Sequence, residues 1–306
     1  MSIIFFGTPN FAVPILKTLA CSGEDISLVV TQPDKVRGRG HKLSPPPIKV
    51  TALAAGLRVA QPANLREESI LKELITIKPE LIIVVAYGKI LPKAILELPR
   101  LGCINVHASL LPDYRGAAPI AWAIIRGEEK TGVTTMLMDE GLDTGALLLT
   151  RETNITEQDT GTSLGVRLSE MGATLLADTL KALRNGSVVP RPQTGKATYA
   201  PPLRKEDGLI DWSKNAVELS RFVRGTQPWP GAYCSINDER VTLLRASPVA
   251  GKGQPGAVIR IEKYALVVAT GHDLLSVTTL QPSGKKPMSA EAFIHGRQLR
   301  EGLILR

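Results

Sequence analysis

An α/β fold with a doubly wound parallel sheet, followed by a smaller β domain, is predicted by two features of the sequence. Up to about residue 190, short β-type runs alternate with longer segments of helical spacing, as in successive βαβ units. Beyond residue 203, short β-type runs separated by Gly, Asp, Asn and Pro turns follow one helix near residues 216–224. The first pattern favours parallel strands joined by helical crossovers, and the second indicates a small β-barrel or sandwich.

The individual elements follow from the same patterns, and several of the helices open at Pro or end at Gly. In the first part, strands are predicted at residues 3–6, 28–31, 81–86, 104–108 and 133–138, and helices at residues 14–21, 47–55, 67–77, 118–126 and 163–183. In the second part, strands are predicted at residues 241–244, 257–261, 265–269 and 274–280.

A change of composition marks the expected domain boundary. Residues 189–203 contain four prolines and a glycine, which helices would not tolerate. We therefore expect an α/β domain over residues 1–189, a linker over residues 190–206 and a β domain over residues 207–306.

Composition and charge restrict the class of protein. The chain has 306 residues, a formal net charge of +8 and a pI near 9.4, which suggests an anionic partner. Its three cysteines are widely spaced and include no Cys-x-x-Cys pair, which fits a reducing compartment. The longest apolar strand-like run, residues 81–86, is far too short to span a bilayer. We expect a cytoplasmic protein without a membrane anchor, and take a monomer as the working expectation although the sequence leaves the oligomeric state open.

Three polar residues are the candidate catalytic group. Asn105 and His107 lie two residues apart at the end of a predicted strand, so both point to one face, where open α/β sheets place ligand crevices. Asp143 lies in a turn, GLDTG, after another predicted strand. Together they could supply an oxyanion donor, a proton shuttle and a carboxylate that orients the shuttle. No Gly-x-Ser-x-Gly elbow or metal-spaced histidine cluster accompanies them, so we expect acyl transfer to an external nucleophile without covalent or metal catalysis.

The stretch INVHASLLP at residues 104–112, with YRGAAP at residues 114–119, resembles the signature of the formyltransferases that use 10-formyltetrahydrofolate. The similarity begins with FFGTP at residues 5–9, passes through AYGKILP at residues 86–92 and extends to LQPSGKKPMSA at residues 280–290. It covers nearly the whole chain, and Asp143 falls where the family keeps its aspartate.

The resemblance implies a Rossmann-like catalytic domain and an OB-like β-barrel that binds tRNA. It also implies that Asn105, His107 and Asp143 transfer a formyl group from 10-formyltetrahydrofolate to the α-amino group of methionine on initiator tRNA, for translation initiation. The folate cosubstrate is expected at two loops, whose residues are Tyr87, Gly88 and Ile90 in the first and Ser109, Leu110, Leu111 and Pro112 in the second.

A basic loop holds half of the net charge. Residues 33–49 contain five Lys and Arg against one acid, a local excess of 5 − 1 = 4. Gly38 and Gly40 give the loop backbone freedom, but a third glycine is missing, so a dinucleotide fingerprint is rejected. The resemblance places this loop at the acceptor end of the tRNA, with Lys35, Arg37, Arg39 and Lys42 as the expected contacts. Residues 204–306, with 15 basic and 10 acidic side chains, offer a second, weaker surface.

Three other functions are compatible with parts of the sequence. The candidate catalytic group would also serve a formyltransferase acting on a small amine, such as a purine precursor or an amino sugar nucleotide, although the basic loop and the β domain argue against it. An RNA-binding protein on an inactive α/β scaffold would not need the complete Asn, His and Asp set. A nicotinamide oxidoreductase is disfavoured because GTP at residues 7–9 replaces the Gly-rich turn.

Overall fold

The computed structural model describes residues 1–37, 42–297 and 299–306, with the backbone alone described at Arg37 and Lys42. The chain forms two compact units. The first comprises Met1–Pro119, Lys130–Asn154 and Gly165–Pro201, and the second comprises Ile120–Glu129, Ile155–Leu164 and Pro202–Arg306.

The strands and helices that begin before residue 202 belong to the first unit, except that two helices are shared with the second. The strands are β1 (Ser2–Gly7), β2 (Asp25–Val30), β3 (Lys35–Arg37), β4 (Lys42–Ser44), β5 (Val59–Ala60), β6 (Leu81–Val85), β7 (Cys103–His107), β8 (Arg115–Gly116), β9 (Lys130–Leu137), β10 (Leu147–Asn154) and β11 (Tyr199–Ala200). The helices are α1 (Val13–Cys21), α2 (Pro47–Ala54), α3 (Glu68–Ile77) and α4 (Lys93–Leu96), and the shared ones are α5 (Pro119–Arg126) and α6 (Gly161–Arg184).

The central sheet of the first unit has the order β10-β9-β7-β6-β1-β2-β5. The five strands from β7 to β5 are parallel, which confirms the doubly wound α/β fold predicted from the alternation of strands and helices. All five residues of β6 are buried apolar side chains, as expected for a parallel strand covered on both faces. The chain extends from β1 to one side of the sheet and then crosses to β6 on the other. The switch point therefore lies between β1 and β6, where such sheets open a ligand crevice at the carboxyl ends of their strands.

The outer strands differ from the expected βαβ pattern. β9 pairs with β7 in the antiparallel direction, and β10 pairs with β9 in the same way. β10 was not predicted because its side chains alternate between covered and exposed positions, as expected for an edge strand with few apolar residues. The consequence is that residues 138–146 connect two antiparallel strands and start at the Cys103 end of β7, not at its carboxyl end.

The second unit is built on an antiparallel sheet, which confirms the β domain predicted from the turns. Its strands have the order β12-β13-β16-β15-β14, with β17 paired to β16. They are β12 (Ala232–Ile236), β13 (Glu239–Val249), β14 (Val258–Ile261), β15 (Leu266–Ala269), β16 (Leu274–Pro282) and β17 (Met288–Ser289), and the unit's own helices are α7 (Ala216–Gly225) and α8 (Ala290–His295).

Helix α7 begins at a capping box, in which Asn215 accepts from the Glu218 N–H while the Glu218 carboxylate accepts from the Asn215 N–H. It buries Leu219 and Val223 in the core of the sheet, beside Trp212. Alternating residues of β12 and β13 fill the same core, so the strands have a covered and a solvent face.

The predicted domain limits remain a prediction. The segment expected to be a linker contains β11, which pairs in parallel with β8, and Arg191 forms an isolated bridge with Leu147. Residues up to Pro201 therefore group with the first unit. Among the helices that the structure describes, none is long and apolar enough to cross a membrane.

Candidate active site

Strand β7 carries Asn105 and His107 on one face, since side chains two residues apart on a strand point the same way. The strand lies between β6 and β9, with Asn105 opposite Val84 on one side and Met136 on the other. His107 is 6% exposed and Asn105 is half-buried. The two polar groups are thus held side by side on an inner strand of the sheet.

Asp143 reaches this face from the connection between β9 and β10. Its backbone has a φ of +52°, in the left-handed region that residues other than Gly rarely adopt. The Asn105 Nδ2 donates to Asp143 Oδ1 at 3.4 Å, and Asp143 Oδ2 lies 3.7 Å from His107 Nδ1. The structure therefore brings the three predicted side chains together. The loop folds back to reach them, because the antiparallel strand β9 ends near the start of β7.

The two nitrogens of His107 have different partners. Nε2 lies 3.0 Å from the carbonyl oxygen of Tyr114, and a carbonyl can only accept, so Nε2 carries the hydrogen. Nδ1 faces the Asp143 carboxylate at a distance too long for a direct hydrogen bond. Nδ1 is therefore the ring atom placed to exchange a proton with a ligand.

A backbone N–H also holds the Asp143 carboxylate oxygen that faces His107. Gly116 N donates to Asp143 Oδ2 at 2.8 Å, and an N–H donating to an ionised carboxylate is stronger than a neutral pair. Gly116 has a φ of +120°, and a Cβ at this position would lie 2.7 Å from the carbonyl oxygen of Ala200. Only glycine fits here, so the GAAP part of the sequence signature has a structural role beside the catalytic group.

Sequence reasoning missed Gln193 and Thr198, which lie in the segment predicted to be a linker. Gln193 Nε2 donates to the carbonyl oxygens of Asp143 and Gly145, and Thr198 Oγ1 accepts from Tyr114 N at 2.8 Å. The prolines of this segment indicate an extended chain but give no sign of its partners. The Thr-Tyr-Ala run at residues 198–200 is the one β-type signal that could have indicated contact with a sheet.

The first predicted folate loop follows β6 at the switch point of the sheet. Its Tyr87 side chain is buried in the core against Phe6, with ring centroids 5.1 Å apart, and burial raises the pKa of the Tyr87 hydroxyl to about 12. The Tyr87 carbonyl accepts from Thr8 Oγ1 and Gln32 Nε2, both at 3.0 Å. Tyr87 can therefore contribute only backbone atoms to a ligand, whereas Gly88 and Ile90 are exposed.

The second predicted folate loop directly follows β7. Ser109 is buried and its hydroxyl donates to the carbonyl oxygen of Asp113 at 2.5 Å, while its own carbonyl accepts from Thr134 Oγ1 at 2.7 Å. Leu111 is also buried, and Leu110 and Pro112 are partly exposed. These contacts fix the shape of the loop next to His107, and they leave no free Ser109 hydroxyl for a ligand in this arrangement.

The predicted basic loop is a hairpin of β3 and β4. Lys35 and Arg37 lie on β3 and Lys42 on β4, whereas Arg39 lies outside the described residues. At the root of the hairpin, Lys49 Nζ bonds both carboxylate oxygens of Asp34 at 2.9 and 2.8 Å, which holds the pKa of Asp34 below its usual value. Lys49 is thus already paired and does not add to the cationic surface.

The described ranges contain no group of three or more His, Cys, Asp and Glu that could hold a metal ion. The arrangement around His107 instead offers an amide donor, an imidazole nitrogen and a carboxylate within reach of one another. Such a set can stabilise a developing negative charge on oxygen and move a proton.

The family models and the most similar curated proteins indicate the same family. Residues 1–180 match the sequence model of the formyl transferase family, and residues 202–298 match that of the formyl transferase C-terminal domain. The methionyl-tRNA formyltransferase of Thermodesulfovibrio yellowstonii is 52% identical over 98% of this chain and 97% of its own length.

Solved structures share the fold at lower sequence identity. The methionyl-tRNA formyltransferase from Clostridium thermocellum superposes with a TM-score of 0.57 at 20% identity, over 82% of this chain and 95% of its own. HypX from Aquifex aeolicus, in complex with tetrahydrofolic acid, superposes with a TM-score of 0.65 at 19% identity, over 96% of this chain and 47% of its own. With the two domain matches and a full-length relative at 52% identity, the chain belongs to the methionyl-tRNA formyltransferases of the formyl transferase family.

Proposed function

We propose that the chain transfers the formyl group of 10-formyltetrahydrofolate to the α-amino group of methionyl-tRNA, with Asn105, His107 and Asp143 as its catalytic residues. The observation that carries this proposal is the convergence of the three side chains on one face of β7. The Asp143 carboxylate lies 3.4 Å from Asn105 Nδ2 and 3.7 Å from His107 Nδ1. The acceptor follows from the family, because the full-length relatives are methionyl-tRNA formyltransferases.

The reaction creates two charges that these residues can manage. The neutral amine attacks the formyl carbon, so a C–N bond forms, the carbonyl oxygen becomes an oxyanion and the nitrogen carries an excess proton. Asn105 Nδ2 donates to the oxyanion. His107 Nδ1 takes the proton, directly or through water, and passes it to the folate nitrogen as the bond from that nitrogen to the formyl carbon breaks. Asp143 stabilises the imidazolium that exists between the two transfers.

A weak base is sufficient for this chemistry. A free α-amino group titrates near about 7.7 to 8, so a useful fraction of the acceptor is neutral at physiological pH. His107 is fixed in one tautomer by the Tyr114 carbonyl, which leaves Nδ1 ready without a prior rearrangement. No group in the proposed set needs to form a covalent bond to the substrate.

Folate binding is proposed at the crevice between β1 and β6. The loop that follows β6 offers backbone atoms at Tyr87 and exposed surface at Gly88 and Ile90, next to the loop of Ser109, Leu110, Leu111 and Pro112 after β7. Since β6 and β7 are parallel neighbours, both loops begin at the same edge of the sheet. HypX, a structure of similar fold, was solved in complex with tetrahydrofolic acid.

The tRNA is proposed to contact the basic hairpin through Lys35, Arg37, Arg39 and Lys42, with the second unit as a further contact surface. Phosphate groups are the natural partners of such clusters of cations. We further propose that the protein acts as a cytoplasmic monomer, without a metal, on initiator tRNA.

An acceptor comparison tests the proposed function. The chain is incubated with 10-formyltetrahydrofolate and either methionyl-tRNA or a small amine, such as an amino sugar nucleotide, and formylated product and released tetrahydrofolate are quantified. We expect equal amounts of formylmethionyl-tRNA and tetrahydrofolate, and no comparable formylation of the small amine. Faster formylation of the small amine, or no formyl transfer to methionyl-tRNA, would overturn the proposal.

A further inference from the structure

Gln193 connects two loops of the candidate site through four hydrogen bonds. Its Nε2 donates to the carbonyl oxygen of Asp143 at 2.8 Å and to that of Gly145 at 2.9 Å. Its Oε1 accepts from Arg115 Nε at 3.1 Å and from Arg115 Nη2 at 2.6 Å. Both hydrogens of the amide and its oxygen are thus used, and the side chain bridges the Asp143 turn to Arg115 on β8.

Arg115 fixes the orientation of that amide. A guanidinium can only donate, so the oxygen of Gln193 must face it and the NH₂ group must face the two carbonyls. A flipped amide would place NH₂ against the guanidinium and oxygen against two carbonyls. Gln193 is therefore held in the one orientation that binds both carbonyls of the Asp143 turn.

The turn that Gln193 holds is the one that aims the Asp143 carboxylate. Asp143 has a φ of +52°, in the left-handed region that residues other than Gly adopt mainly in tight turns. Gly145 has no room for a Cβ, which would lie 1.6 Å from the carbonyl oxygen of Leu137. Gln193 binds the carbonyl at each of these two residues, so it restrains the turn on both sides of Thr144.

The same segment also supports the partner of His107. Thr198 Oγ1 accepts from Tyr114 N at 2.8 Å, and the Thr198 carbonyl accepts from Arg115 N at 2.9 Å. The Tyr114 carbonyl in turn accepts from His107 Nε2. Residues 193–198 therefore help to fix the positions of both the Asp143 carboxylate and the His107 imidazole.

We infer that Gln193 is a positioning residue for the formyl transfer, which acts on the reaction by holding Asp143 against His107 and Asn105. This inference rests on the proposed function. It assigns a role in the reaction to a segment that the sequence pattern presents as a linker, and it requires no contact between Gln193 and the substrates.

The test compares wild type with Gln193→Met and Gln193→Glu in steady-state formylation of methionyl-tRNA. Gln193→Met keeps the length of the side chain and removes all four hydrogen bonds, whereas Gln193→Glu keeps the acceptor for Arg115 and loses the two donations to the Asp143 turn. We expect both variants to lower kcat by about 10- to 100-fold, the usual scale for a misplaced catalytic group, with KM for both substrates changed by less than about threefold. A wild-type kcat for Gln193→Glu would assign the role to Arg115 and overturn the inference.

Two further variants separate positioning from folding. Gln193→Met combined with Asp143→Ala should have a kcat within about threefold of Asp143→Ala alone, because residues that act as a unit are not additive. Gln227→Met is the matched control, since Gln227 Nε2 donates to the carbonyls of Val223 and Leu244 within the second unit. It should lower Tm and leave kcat unchanged. A multiplicative double variant, or equal kcat losses for Gln193→Met and Gln227→Met, would contradict a positioning role.

The experiment distinguishes failure of this inference from failure of the proposed function. If wild type forms no formylmethionyl-tRNA, the proposed function is wrong. If wild type is active and Gln193→Met retains its kcat, only the role of Gln193 is wrong.

Discussion

The two ring nitrogens of His107 have different partners, and the Tyr114 carbonyl determines which of them carries the hydrogen. The Tyr114 carbonyl accepts from Nε2 at 3.0 Å, and Asp143 Oδ2 lies 3.7 Å from Nδ1. A proton taken up at Nδ1 would lie next to the carboxylate, which would stabilise the resulting imidazolium. The imidazole and the carboxylate should therefore act as one proton-handling unit.

Removal of either His107 or Asp143 should abolish most of the rate acceleration that the pair provides. We expect His107→Ala and Asp143→Ala each to lower the kcat of formyl transfer, by about 10² to 10⁴ for loss of a general acid–base group. The double variant should be within about threefold of the slower single variant, because the two residues act as a unit. Steady-state kcat for the three variants checks this expectation.

Independent losses that multiply in the double variant would show that His107 and Asp143 work separately. Circular dichroism spectra that match wild type control for folding of the three variants.

The sequence predicted which two of the candidate residues share one face of a strand. Asn105 and His107 follow from the period of β7 and from its place before a loop. Asp143 was predicted from its turn after another strand and from the family resemblance, and it reaches the same face from a connection between antiparallel strands. Gln193 was not predictable, because its partners Arg115 and Asp143 come from two loops far away in sequence.

At the level of elements, the five helices predicted before residue 190 and the buried strands of the central sheet were located to within a few residues. The errors concern strand direction, edge strands and short elements, since the short helices α4 and α8 were not predicted. The segment between β7 and β9 contains helix α5, which suggested a parallel crossover, yet β9 pairs in the antiparallel direction. β10 has alternating burial and few apolar residues, so no buried-strand pattern marks it. The direction of a strand depends on which other strand it pairs with, and the local sequence pattern contains no information about that pairing.

The β3–β4 hairpin makes a prediction about salt dependence. The triple variant Arg37→Gln, Arg39→Gln, Lys42→Gln should bind methionyl-tRNA more weakly and with a smaller slope of log K against log salt. The slope should fall by about 0.7 to 0.9 for each phosphate contact that is lost. Filter binding or fluorescence anisotropy at several salt concentrations measures both quantities.

A matched control removes three cations elsewhere in the first unit. Arg58, Lys72 and Lys130 pair with Glu73, Glu68 and Glu152 on the surface. The triple variant of these residues to Gln changes net charge by the same amount and should leave the slope unchanged. Equal slopes for wild type and the hairpin variant would remove the hairpin from tRNA binding.

At the scale of the whole molecule, both units have a core that excludes water from a cysteine. Cys103 is buried in the first unit and Cys234 in the second, whereas Cys21 is exposed. Burial raises the pKa of the Cys103 and Cys234 thiols to about 12. Since the thiolate is the reactive form, the two buried thiols are protonated and inert well below that pH.

Thiol labelling of the native protein at pH 8 should therefore detect one fast-reacting cysteine. Addition of denaturant should raise the count to three, because unfolding exposes the buried thiols and returns their pKa to the ordinary range. Ellman's reagent measures both counts, and Cys21→Ser, which should remove the fast phase, is the control. Two or three fast thiols in the native protein would mean that one of the cores is not packed as described.

The composition of the chain predicted its division into an α/β part and a β part but not which unit each short segment joins. Residues 190–201 have the prolines of a linker and nevertheless pair with the first unit through β11. Residues 120–129 and 155–164 group with the second unit although they lie within the segment predicted to be the α/β domain. Such assignments depend on tertiary contacts between distant segments, which no local pattern contains.

Single-turnover kinetics of Asn105→Ala tests most directly whether the site on β7 catalyses formyl transfer to methionyl-tRNA. Enzyme in excess over methionyl-tRNA, with saturating 10-formyltetrahydrofolate, reports the chemical step alone. We expect a rate about 10² to 10³ lower than wild type, the usual loss for one oxyanion donor, with unchanged Kd for the tRNA. Asn185→Ala, at an exposed position after α6, should retain the wild-type rate. A near wild-type rate for Asn105→Ala would contradict the assignment of the active site.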